Sequence, residues 1–218
     1  IYGQMLDGRF PKNMDAGLLT VVSKLTEATI SLWKTMQAKM LPTPAKFHYV
    51  FNMRDLSRVF QGILQTPHDS VLTCGTRGAE GSMSLSPGTC LLSIWKHEAL
   101  RVFCDKLTVN KDKDFCAEAI DKHCKETFDA EFVSELPEEM HMVNFLRDDV
   151  YDDDGVLQEE APKVYEPGGT LKQIRERVSS FLDKYNEENP SRKMELVLFD
   201  DALRHLLRLN RLMEMPRG

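Results

Sequence analysis

No stretch of the chain approaches 18 consecutive apolar residues, so no transmembrane helix is expected. No CxxC pair occurs. Five cysteines (Cys74, Cys90, Cys104, Cys116, Cys124) are an odd number at irregular spacing, which argues against a disulfide framework and predicts reduced, intracellular thiols. The one Asn-x-Ser sequence, at Asn189, carries the forbidden Pro190, so nothing points to secretion. No GxxxxGK[ST] phosphate loop is present, which excludes a self-sufficient nucleotide hydrolase of that class. The glycine-bearing stretch 75–81 has no lysine to reach a phosphate. His97-Glu98 opens like a zincin helix, but Arg101 stands where the second histidine is required. Cys116, His123 and Cys124 lack a second ligand pair, so no metal site is expected. If Gly155 is set at the sixth position of a calcium loop, Val150 falls first and Ala161 twelfth. Both obligatory carboxylates are then missing. No Ser-His-Asp or Cys-His arrangement is evident among six scattered histidines.

What is present is a 218-residue chain, 42% hydrophobic and 28% charged, enough for one domain or one and a part. It begins at Ile1 and ends in what reads as mid-element, so a fragment is expected. A net charge of -6 argues against a generic nucleic-acid binder. That charge is uneven. Residues 129–166 carry thirteen acidic side chains against Arg147 and Lys163, a net of -11, so the remainder sums to +5. The plain reading is a solvated acidic loop.

Hydrophobic periodicity predicts a mainly α fold. A helix is expected from about residue 14 to 40, with Leu18, Leu19, Val22, Leu25, Ala28, Thr29, Leu32, Trp33 and Met36 on one face. Pro42 and Pro44 end it. A short extended piece, 47–51, leads into a helix over about 52–64 with Asn52 as N-cap and Asp55 at its positive end. Residues 65–88 have loop composition. Further helices are expected over about 89–107, 111–128, 170–186 and 198–213, and no strand longer than three or four residues.

Two basic clusters could contact anions. Arg54 and Arg58 lie four apart on one helix face; Arg204, Arg208 and Arg211 form a stripe beside Leu203, Leu206 and Leu207. A salt-bridged face is the competing reading for each. Residues 196–201 imitate an apolar strand ending in magnesium-orienting acids, but without a phosphate loop they read as the opening of the last helix.

Three longer motifs carry a resemblance. The run LPTPAKFHYVFNMRDLSRVFQG (41–62) resembles the small-subdomain signature of a dynein heavy chain in its third AAA+ module. WKHEALRVFCDKL (95–107) resembles the next signature, which usually has Arg where Lys106 stands. Residues 194–218 resemble the stretch leading to the fourth module's phosphate loop, in wording closest to axonemal heavy chains. The resemblance implies that 1–10 end the third module's large subdomain and that 11–128 form its helical lid. It makes 129–169 an acidic connector and has 170–218 open the fourth module.

It further implies an ATP-driven microtubule motor of the cytoskeleton and the ciliary axoneme, with ATP or ADP and magnesium bound in the intact ring and none by this stretch alone. Arg54, and more weakly Arg58, fall where the family places the lid arginine that reaches nucleotide phosphates. Val197, Leu198 and Phe199 match the edge over the fourth module's adenine. No catalytic residue and no metal ligand is assigned. The implied partners are the neighbouring AAA+ modules, with dynein intermediate and light chains and microtubules engaged only through the full protein; neither nucleic acid nor membrane is expected. Two rivals remain: a helical interaction module using the acidic connector, tested by salt-sensitive binding lost on neutralising Asp152–Asp154, and an independent nucleotide enzyme, tested by tight ATP binding to this chain alone.

Overall fold

The computed structural model describes residues 1–72, 85–152 and 156–214. The stretch 75–81, Cys74, the Asp153–Gly155 part of the acidic run and the last four residues lie outside them. The chain divides into two compact units, residues 1–138 and 139–218.

In the first unit α1 spans Tyr2–Arg9, α2 Ala16–Lys39, α3 Met53–Gln65, α4 His68–Leu72, α5 Pro87–Ala99, α6 Asn110–Thr127 and α7 Ala130–Ser134. Asp15 caps α2 by accepting from the Leu18 N–H at 2.9 Å. Along α2 the buried set is Leu18, Val21, Val22, Leu25, Ala28, Thr29, Leu32 and Met36, a stripe at the expected spacing. Leu19 and Trp33 are half-buried at its margin.

Helix α5 is buried nearly all round, with Leu91, Leu92, Ile94, Trp95 and Ala99 fully enclosed. It packs against α2, α3, α4, α6 and α7 and so is the central element of this unit. An enclosed helix must satisfy its polar groups internally. The Trp95 indole N–H donates to Thr29 Oγ1 at 2.9 Å, and Thr29 donates onward to the Leu25 carbonyl at 2.6 Å. Thr89 Oγ1 donates to Glu135 Oε2 at 2.8 Å, tying α5 to the residue that follows α7.

The helix expected over 89–107 changes character partway. Leu100–Cys104 form a π turn, with Asp105 N–H donating five residues back to the Leu100 carbonyl. The chain then reverses into α6, whose inner face is Cys116, Ala119, Ile120 and Cys124.

The expectation of reduced thiols throughout is corrected here. Cys104 and Cys116 are joined as a disulfide with Cα atoms 5.9 Å apart. The reversal between the π turn and α6 brings together two residues whose linear spacing gave no sign of it. Cys90 and Cys124 are buried, and burial pushes the Cys124 thiol up to about 11.

The second unit has two short antiparallel pairs. Met142–Val143 (β1) lies against Glu166–Pro167 (β4), and Val150–Tyr151 (β2) against Leu157–Glu159 (β3). Helix α8 spans Leu171–Glu188 and α9 Asp200–Glu214. Gly169 adopts φ 75°, a left-handed conformation that glycine takes without a Cβ penalty, and turns the chain into the Thr170–Gln173 capping box of α8. The core is small: Val143, Ile174, Leu203 and Leu207, flanked by Phe145, Leu146, Leu171 and Val178.

Most described carboxylates of the acidic stretch are exposed, as its composition predicted, but several are engaged by cations. Arg147 makes a bidentate pair with buried Glu166, both contacts at 3.1 Å. Arg177 pairs with Asp148 at 2.5 Å and Arg204 with Glu139 at 3.0 Å. In the first unit Lys24 reaches Asp129 at 2.8 Å. The cations on α2, α8 and α9 lie outside the counted window, so a local charge sum missed them. Among the described residues no helix is long and apolar enough to cross a membrane.

Candidate functional site

The start of α3 is set by sequence before any tertiary contact. Asn52 sits in an extended conformation and its Oδ1 accepts from the Arg54 N–H at 2.9 Å and the Asp55 N–H at 3.3 Å. Asp55 Oδ2 reaches back to the Asn52 N–H at 3.0 Å, completing a capping box. Helical spacing then divides α3. Leu56, Val59, Phe60 and Ile63 turn inward, while Met53, Arg54, Ser57 and Arg58 face outward.

Arg54 and Arg58 therefore stand exposed on one face, one turn apart. Among the described residues neither has an ion-pair partner. The second basic cluster differs: Arg204 binds Glu139 and Asp201, and Arg211 is buried. Of these two clusters, it is the α3 pair whose guanidinium groups stand unengaged among the described residues, which suits them to a phosphate.

Two adjoining features bear on this face. Tyr2 of α1 stacks on Phe60 with ring centroids 4.3 Å apart, and its hydroxyl lies 2.6 Å from Ser57 Oγ. The same two helices border a groove of about 490 Å³ lined by Tyr2, Met5, Ser57, Phe60, Gln61 and Leu64. Arg9 fixes the far end of α1 by donating twice to the Thr66 carbonyl, at 3.2 and 3.0 Å.

The two signatures separated in sequence meet here. Lys106 Nζ lies 3.0 Å from Asp55 Oδ2, donates to the Val50 carbonyl at 3.0 Å, and sits 3.9 Å above the Phe51 ring. Burial holds the Lys106 ammonium below its ordinary pKa; Asp55 pulls it up and neighbouring Arg58 pushes it down. Farther along, Gly62 lies directly against the fully buried Glu98. Upstream, buried Tyr49 donates from its hydroxyl to Asp112 at 2.9 Å and accepts from the Thr108 N–H at 3.1 Å. Lys46 also contacts Asp112, raising its own pKa and lowering that of the carboxylate.

Sequence reasoning singled out Arg54 and Arg58 but passed over Lys106, Asp55's second role and the Gly62–Glu98 contact. Their one available signal was membership in the two signatures. Val197, Leu198 and Phe199 precede α9; Val197 is 82% and Phe199 60% exposed, and Leu198 is half-buried. They lie in the second unit. Among the described residues no cluster of three potential metal ligands occurs.

A helical layer of this kind, with a capped basic helix and two mutually docked signatures, is the small subdomain of an AAA+ module. A family model described as the AAA+ lid domain matches residues 25–136, and the chain belongs to that family. The motif-based resemblance to dynein heavy chains extends along nearly the whole sequence. The chain is 41% identical over 221 residues to the "Dynein gamma chain, flagellar outer arm" of Chlamydomonas reinhardtii, covering 99% of this chain and 5% of that protein. It is 38% identical over 201 residues to "Dynein axonemal heavy chain 5" of Mus musculus, covering 89% and 4%. With "Dynein axonemal heavy chain 10" of Homo sapiens it shares 34% over 222 residues, covering 100% and 4%. It thus spans about one-twentieth of these relatives, which are flagellar and axonemal heavy chains, as the wording of the last motif implied.

Proposed function

We propose that this chain is the nucleotide-responsive lid of the third AAA+ module of an axonemal dynein heavy chain, acting in a ciliary motor ring. In this reading 11–128 are the lid, 129–169 the connector and 170–218 the start of the fourth module. The observation that carries it is the pair Arg54 and Arg58, exposed on one face of α3 and unpaired among the described residues, at the positions implied by the lid signature.

A guanidinium in this setting distinguishes ATP from ADP because only the γ-phosphate adds charge and acceptor oxygens within its reach. Arg54, with its backbone fixed by the Asn52 cap, is the principal donor; Arg58, one turn on, assists. When that contact is lost, the lid is free to rotate as a rigid body and to pass the motion to the neighbouring module. Val197, Leu198 and Phe199 supply an exposed apolar edge suited to the flat face of adenine in the fourth module. Magnesium and the hydrolytic groups belong to other parts of the ring, as do contacts to microtubules and accessory chains. This stretch relays and does not catalyse.

The test is Arg54→Ala in the intact heavy chain. Loss of a charge-assisted hydrogen bond of about 1.5–3 kcal/mol predicts a fall of roughly 10- to 100-fold in the preference of this module for ATP over ADP. An unchanged preference overturns the reading. So does ATP turnover by the 218-residue chain alone that Arg54→Ala abolishes.

A further inference from the structure

The geometry points to Lys106 as the positioning residue for Arg54, a strut from the second signature that fixes where the phosphate-reading guanidinium stands. The inference rests on the phosphate-reading role proposed for Arg54 and adds a residue to it.

Lys106 acts on three parts of the chain that enters α3. It donates to the Val50 carbonyl, lies over the Phe51 ring, and binds the carboxylate of Asp55. The Asp55 oxygen it binds is the same Oδ2 that accepts the Asn52 N–H. Asn52 in turn holds the Arg54 N–H. The path from ammonium to Arg54 backbone thus runs through one carboxylate and one cap, with every link at 3.0 Å or less.

A capping box alone fixes local helix geometry but not where the helix stands in the unit. The Lys106 link supplies that second constraint. Lys106 lies two residues beyond the π turn that ends the α5 rod, and α5 is the unit's central element. A π turn accommodates an extra residue, which redirects the chain beyond it and sets where residue 106 emerges. The first turn of α3 is in this way referenced to the core.

The charge arrangement fits the same role. Asp55 is buried, and without Lys106 its carboxylate would keep the Asn52 N–H but lose its neighbouring cation. It would then be free to draw the nearby Arg58 inward. With Lys106 in place Asp55 is engaged, and Arg54 and Arg58 both remain outward.

The experiment uses the intact heavy chain with Lys106→Met, Lys106→Arg, Asp55→Asn, Arg54→Ala and the double variant Lys106→Met/Arg54→Ala. ATP and ADP affinities at this module are measured by competition with a fluorescent nucleotide. Lys106→Met keeps the apolar stem without the charge. Lys106→Arg keeps the charge and can still stack on an aromatic ring. Asp55→Asn keeps the cap acceptor but not the ion pair, so it tests the strut even where Lys106→Met folds poorly.

Misplacement of a phosphate donor lowers the ATP-over-ADP ratio about tenfold in Lys106→Met and Asp55→Asn. Lys106→Arg stays within about twofold, and the double variant falls no further than Arg54→Ala alone. A purely structural role would instead lower both affinities together and add to Arg54→Ala. An unchanged ratio in Lys106→Met and Asp55→Asn, beside a lowered one in Arg54→Ala, overturns this inference alone. An unchanged ratio in Arg54→Ala overturns the phosphate reading and this inference with it.

Discussion

The contact of Gly62 with Glu98 makes a prediction opposite in sign to helix propensity. Gly62 lies inside α3, where replacing glycine with alanine ordinarily stabilises by about 1 kcal/mol. Here an alanine Cβ would stand 1.9 Å from Glu98 Oε2, 2.3 Å from Cδ and 2.8 Å from Cγ. Three successive side-chain atoms are in the way, so a swing of the carboxylate alone cannot clear them. Glu98 is fully buried and must displace its neighbours to move. Overpacking costs about 1–3 kcal/mol, and disturbing a buried polar group about 1–3 more.

Net of the propensity gain, Gly62→Ala should destabilise the first unit by about 3 kcal/mol, on the order of a hundredfold in its folding equilibrium. Both tryptophans, Trp33 and Trp95, lie in that unit, so urea denaturation followed by tryptophan fluorescence reports it alone. With a slope of about 1–3 kcal/mol per molar, the midpoint should fall by about 1–3 M. Adding Glu98→Ala to Gly62→Ala frees the space, and the double variant should lose less than the sum of the singles. A midpoint in Gly62→Ala equal to or above that of the parent refutes the steric argument.

Thr29→Val leaves the buried Trp95 N–H without an acceptor and should cost about 1–3 kcal/mol in the same assay; Thr29→Ser, which keeps the hydroxyl, should cost less. A Thr29→Val midpoint at or above that of Thr29→Ser contradicts the bond's role. Thiol titration of the unfolded chain should find two fewer thiols before reduction than after, from Cys104 and Cys116. Releasing that 12-residue closure should lower stability by about 3 kcal/mol, and equal counts refute the link. His123 is held below its ordinary pKa by burial, while its Nε2 bonds Thr35 Oγ1 at 2.9 Å. Its folded pKa being depressed, the unfolded chain takes up the proton first. Stability should therefore fall as pH drops through about 6.5 toward the folded value. His123→Gln should flatten that slope, and a slope that persists unchanged assigns it to other groups.

Much of the helical plan was legible from local pattern. The α2 stripe, the proline stop after it, and the Asn52 and Thr170 starts are short-range effects of side-chain spacing and capping. So was the α3 basic face, because four-residue spacing alone places Arg54 and Arg58 together. Helix α7 was not legible, because its five residues fall within a stretch dominated by charge. The π turn in the third long helix left no mark on apolar periodicity.

By itself, the sequence determined helix identity, the amphipathic faces, the caps, and the signatures that place the chain in its family, since each depends on residues a few positions apart. Only the tertiary structure decided which charges are engaged. It paired the α9 arginine Arg204 with Glu139 and left those of α3 outward. It joined Cys104 to Cys116 across a chain reversal, and it brought Lys106 to Asp55 and Glu98 to Gly62 from distant segments. Coulombic attraction and steric exclusion act across space rather than along the chain. Whether an arginine is free or a thiol bonded is therefore settled by which helices the core brings into contact.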